Sequence, residues 1–161
     1  MTGCDAPVRN RSQGVVVESI TLTVISTLFV IQRFSMKVLW GIPIGFDDWF
    51  ILLSYLTSLA GMLLLVCGMA AHGLGRDIWT LPPPDITAFG KYLYAVGITY
   101  LLGLTLLKLS LLFFYLRIFP SPPVRRILWG TLIFNAICGI ALCLAMILQC
   151  LPVAYYWNRW D

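Results

Sequence analysis

Lys108 stands inside the apolar run Leu101-Leu102-Gly103-Leu104-Thr105-Leu106-Leu107-Lys108-Leu109-Ser110, nine residues short of Arg117. At 1.5 Å of rise per residue it would lie about 13 Å from the Arg117 end of a helix, near the middle of a hydrocarbon core about 30 Å thick. A cation at that depth costs about 2.5 to 3.5 kcal/mol on insertion scales, so it needs a partner or water. Asp47 and Asp48 open the preceding apolar run on the same membrane side. The expectation is that Lys108 reaches one of these carboxylates and ties the third helix to the second, the alternative being that it snorkels to the interface without a specific partner. The same two aspartates suit a helix N-terminus, where a carboxylate accepts unpaired amide hydrogens and complements the dipole. Glu18, about a turn inside the first run, offers a polar floor for an outward-facing pocket, with His72, Arg76 or Lys91 as partners, or else a carboxylate reaching the headgroups. His72, the single histidine, cannot make a metal site alone but suits a pH-sensitive contact. Arg117 closes the third run at the interface and completes the set of candidates.

These residues are carried by four apolar runs of spanning length, about residues 14–34, 48–71, 92–119 and 127–151, behind a polar tail at 1–13. Lipid cannot satisfy irregular backbone, so the runs must be helices. The fold class that follows is all-α, a polytopic transmembrane bundle of four helices whose first partner is the lipid bilayer. Composition agrees. The hydrophobic fraction is 60% and charged residues are 11%, against about 25% charged in an average soluble domain, and the mean hydropathy is +0.88. A net charge of +4, dispersed between helices, is no basic face for nucleic acid.

Along the second run Asp47, Ser54, Ser58, Gly61, Gly68 and His72 share one stripe, which predicts a face where helices pack closely and serines bond across the contact. The loop Ser35 to Asp47 carries Pro43 and Gly45. The longer connection His72 to Asp85 carries two glycines, read as a turn, and Pro82-Pro83-Pro84, read as holding the chain extended and ending any helix. Cys67, Cys138, Cys143 and Cys150 fall in or at the ends of apolar runs and read as buried small hydrophobes without metal-ligand spacing; only Cys4 and Cys150 are candidates for a disulfide. Asn10-Arg11-Ser12 makes Asn10 a candidate glycosylation site if the tail lies outside. The first run is too long for a signal core and lacks a cleavage site, so it is expected to stay as a signal anchor. Tyr155, Tyr156, Trp157 and Trp160 gather where amphipathic rings prefer the headgroup zone.

Lysine and arginine counts leave orientation tied: Arg33, Lys37, Arg117, Arg125 and Arg126 flank loops one and three, and Arg9, Arg11, Arg76, Lys91 and Arg159 lie opposite. Three of the first group crowd one very short loop, which places loops one and three in the cytosol. No nucleophile, base and orienting group come together, so catalysis is not expected, nor is any cofactor.

Four segments in order, Gly45-Phe46-Asp47-Asp48-Trp49, His72-Gly73-Leu74-Gly75-Arg76, Lys108 to Phe119 (KLSLLFFYLRIF) and Gln149 to Trp157 (QCLPVAYYW), resemble the fungal rhodopsin-domain integral membrane proteins, from about Gly14 to the end. The resemblance implies a seven-helix, receptor-like architecture with its N-terminus outside, in the plasma membrane, sensing an extracellular ligand of unknown identity and coupling to a G protein or to other transmembrane helices. It does not imply a pigment, since retinal proteins carry their Schiff-base lysine on the last helix. Four helices correspond to the N-terminal part of such a bundle, so the chain is expected to be a fragment and incomplete as a receptor. The alternative is a non-signalling membrane component, such as a transporter subunit or a partner in a biosynthetic cluster. A polar cavity lined by Glu18 or Lys108 would favour transport.

Overall fold

The computed structural model describes residues 11–77 and 81–149. Four helices follow one another: α1 (Ser12–Leu39), α2 (Phe46–Leu63, continued by a π-helical segment Leu64–Met69), α3 (Pro83–Ile118) and α4 (Pro122–Ile147). All four are long and apolar enough to cross a bilayer. Among the described residues, buried large hydrophobic residues are reduced to Met69 and Leu132, while dozens of Leu, Ile, Val and Phe side chains face outward. In water that surface would collapse or aggregate; in acyl chains it costs nothing, so the chain is a multi-pass membrane protein.

The helix ends explain where the sequence-based bounds were off. α1 runs on to Leu39 and stops in a Schellman motif: Gly41 sits at φ +60, the Ile42 amide reaches Lys37 O at 3.0 Å and the Gly41 amide reaches Val38 O at 3.4 Å. Only residues 40–45 remain as a loop. The triple proline does not hold α3 off until Tyr92. Pro82 is extended, and Pro83 and Pro84 occupy the first two helical positions, where a missing N–H costs nothing because that amide would have no intrahelical partner. α4 likewise starts on Pro122 and Pro123, so Arg125 and Arg126 belong to its opening turns. At 36 residues, α3 measures about 54 Å and extends well past the hydrocarbon at one end or both. The turn after α2 is as expected: Gly73 and Gly75 have φ of +93 and +76, and the Arg11 amide donates to Gly75 O at 3.0 Å, tying the chain before α1 to this turn.

The small-residue stripe of α2 does pack, and it packs on α3. Ser54 donates to Gly103 O at 2.9 Å, and Ser110, buried on α3, donates to Asp47 O at 2.7 Å. Phe50 stacks on Phe113 at 5.1 Å. A methyl group on Gly68 would lie 2.3 Å from the Tyr92 ring, so the absent side chain is what lets Tyr92 cross the π-helical segment. Ser58 departs from the pattern and is exposed. α4 packs on the other side of α3, with Gly139 against Thr105, Gly97 against Met146, and the Tyr94 hydroxyl donating to Ile147 O at 3.1 Å. α1 has no buried residue and lies along α2 with few close approaches.

Candidate functional site

Asp47 and Asp48 form the centre of an ionic cluster that joins three helices. The turn at Gly45 brings them to the start of α2, where Asp48 occupies the third helical position: its amide donates to Gly45 O at 3.1 Å and its carboxylate accepts the Gly45 amide at 2.9 Å. The capping role expected of this pair therefore falls to Asp48, reaching back to the N-cap Gly45. Asp48 is also 1% exposed, the most deeply enclosed large side chain among the described residues. A carboxylate so placed needs cations, and α1 supplies both. Arg33 Nε donates to Asp48 Oδ1 at 3.1 Å and Arg33 Nη2 to Asp47 Oδ2 at 2.6 Å, the two-pronged contact that a planar guanidinium allows. Lys37 Nζ bonds to Asp48 Oδ2 and lies 3.7 Å from Asp47 Oδ2. From α3, Arg117 Nη1 lies 3.8 Å from Asp47 Oδ1 and its Nη2 lies 3.5 Å from Pro43 O. The Arg33 guanidinium lies 5.4 Å from the Phe114 ring centroid, a cation–π contact with α3.

This corrects the expected tie from Lys108. Lys108 is exposed and pairs with no carboxylate among the described residues. The reason is angular: Ser110 faces Asp47 on α2, and two residues at about 100° each turn Lys108 about 200° away from that face. Arg33 and Lys37, which bear on orientation in the sequence, are partners that sequence reasoning misses. Their signal was legible: two cations four residues apart on one helix face, one short turn from two adjacent acids on the same membrane side. Arg117, a candidate from the sequence, does join the cluster.

Glu18 is exposed and takes none of the expected partners among the described residues, since His72 Nδ1 instead donates to Asp85 Oδ1 at 3.1 Å and His72 stacks on Tyr92 at 5.5 Å. His72 thus joins the turn after α2 to the opening of α3. Cys67 is exposed, and Cys138 and Cys143 are half-buried free thiols, so the expected burial of Cys67 does not hold. Asn10, Cys4, Cys150 and the aromatic group after Leu151 lie outside the described residues.

Beyond the cluster, α1 stands away from α3 and keeps only a few close approaches to α2. The gap is a groove of about 720 Å³ whose walls come from Ser19 to Val30, Ile51 to Leu65 and Val96 to Leu107. Tyr55 and Thr27 share a hydrogen bond of 2.7 Å at its edge. Most lining hydroxyls already donate to carbonyls of their own helix, as with Ser19 to Val15 O, Thr23 to Ser19 O and Ser26 to Leu22 O. What they retain is lone pairs. Among the described residues no charged side chain lines the groove, and neither Glu18 nor Lys108 does.

A model of the fungal rhodopsin domain matches residues 32–161, from one residue before Arg33 through the cluster to α4 and beyond. The chain belongs to the fungal rhodopsin domain family. Comparison with curated proteins and with solved structures finds no match. In this fungal rhodopsin domain every member of the ionic cluster falls inside the matched region, whereas most of α1 before Arg33 lies outside it.

Proposed function

We propose that this fungal rhodopsin domain is the sensing part of a receptor-like protein of the plasma membrane, with loops one and three in the cytosol and no catalytic role. The observation that carries the reading is the contrast along α1. One end is locked to α2 by Arg33 and Lys37 and to α3 by Arg33 over Phe114, while the rest borders an open groove of about 720 Å³. That volume suits a small molecule. Because the walls are apolar and their hydroxyls offer acceptor lone pairs, the ligand is neutral and amphipathic, with hydrogen-bond donors of its own. Binding draws the free length of α1 toward α3, and the cluster transmits the change to the loops where a G protein would dock. A hollow of about 240 Å³ bordered by Pro43, Phe46, Phe113 and Arg117 adjoins the cluster on that side.

The experiment is distance measurement by spin labels on α1 and α3 in nanodiscs, with a panel of neutral aliphatic alcohols and sterols. The expected result is that one class shortens the distance and raises thermal stability, and that Ser58→Trp, which fills the groove from an exposed position, abolishes both effects. A ligand response that survives Ser58→Trp unchanged would remove the groove from the mechanism.

A further inference from the structure

Two polar side chains that the ionic cluster and the groove leave unused lie at one depth of the α3–α4 pair. Lys108 is exposed on α3, with no hydrogen bond or ion pair to any described residue. Asn135 on α4 has its side-chain nitrogen fully buried with no hydrogen-bond partner. The antiparallel register of the two helices is fixed by Tyr94 against Ile147 and by Gly97 against Met146 and Thr105 against Gly139. Carried one further turn, that register sets Asn135 level with Lys108. Lys108 lies ten residues from the Ile118 end of α3, about 15 Å along the axis, so both groups fall near the middle of the hydrocarbon.

Both unmet groups are donors. The lysine ammonium has three N–H bonds and no acceptor, and the orphan atom of Asn135 is its NH₂. Hydrocarbon supplies no acceptor, a headgroup phosphate lies half a bilayer away, and a carboxylate satisfies charge and hydrogen bonds together. Leu111 and Tyr115, exposed on the same stripe as Lys108, continue the face as an apolar track. We propose that Lys108 and Asn135 form a docking site in the bilayer for another transmembrane helix that carries a buried Asp or Glu. The carboxylate accepts from the exposed Lys108 ammonium, and the Asn135 amide, enclosed and unpartnered at Nδ2 in the chain alone, turns outward on docking to donate a second bond, while Leu111 and Tyr115 pack along the incoming helix.

The test uses the full chain in phosphatidylcholine vesicles and, as probe, a fluorescent leucine helix of about 21 residues with one central Glu, compared with central Gln and all-Leu helices. Energy transfer to the labelled chain should report association about tenfold tighter for the Glu helix than for the all-Leu one, equivalent to about 1.4 kcal/mol. Lys108→Met should reduce the Glu helix to the level of the all-Leu control, Asn135→Leu should lose part of the gain, and Lys108→Arg should keep it. Equal association of Glu and all-Leu helices, or undiminished binding of the Glu helix to Lys108→Met, overturns the site. Gln binding as tightly as Glu overturns the carboxylate as occupant. Thermal unfolding of each variant separates lost docking from lost folding.

Discussion

Asp48→Asn tests whether the cluster is what holds α1. The change keeps shape and an oxygen for the Gly45 amide, now 2.9 Å from the carboxylate, so the helix start is spared. It removes one of two negative charges facing Arg33 and Lys37, and turns an NH₂ or a neutral oxygen toward the Lys37 ammonium. Removing one partner of a buried ion pair costs about 3 to 5 kcal/mol. Two features lower that figure. Asp47 remains 2.6 Å from Arg33 and 3.7 Å from Lys37, and the cation side chains keep 27% and 14% of their exposure, so water can partly replace the lost charge. We expect a loss of about 2 to 3 kcal/mol, which for a chain of this length lowers Tm by about 4 to 12 °C. The assay is thermal unfolding in nanodiscs, followed by tryptophan fluorescence, with spin labels reporting the α1–α2 distance. Lys37→Met in the Asp48→Asn background should recover part of the loss, with a coupling of about 1 to 3 kcal/mol between the two sites. A Tm shift below about 1 °C with α1 in place, or full additivity of the two changes, would refute the argument.

Gly139→Ala should cost about 1 to 3 kcal/mol, because its methyl group would lie 2.2 Å from Thr105 Cγ2 and a β-branched side chain in a helix has little freedom to yield; unfolding in detergent measures it. Ser54→Ala removes a bond of 2.9 Å to Gly103 O and should cost about 0.6 kcal/mol, the average for hydrogen bonds between membrane helices, read by the same assay with Ser58→Ala as an exposed control. Lys108→Met should leave the stability of the chain alone in detergent unchanged or raise it, since the lysine faces outward without a carboxylate; a clear loss would restore a tie within the chain.

The sequence by itself determined the class, the number of helices and the acidic centre. Lipid forbids unpaired backbone, so four long apolar runs admit only helices, and two adjacent acids at the start of one run must find cations. The small-residue stripe of α2 was also legible, because close helix approach requires absent side chains wherever it happens. What the tertiary structure alone decided was pairing. Whether Asp47 and Asp48 meet Lys108 or Arg33 and Lys37 depends on how α3 is rotated about its axis, and the packing of Ser110, Gly103 and Thr99 against α2 fixes that rotation. An apolar helix with leucine on every side carries almost no angular signal in its sequence. The same reason hid the shared depth of Lys108 and Asn135, which follows only from the register set by Gly97 and Gly139, and the groove beside α1, which exists because one helix end is clamped by charge while its remaining length has no buried residue to draw it in.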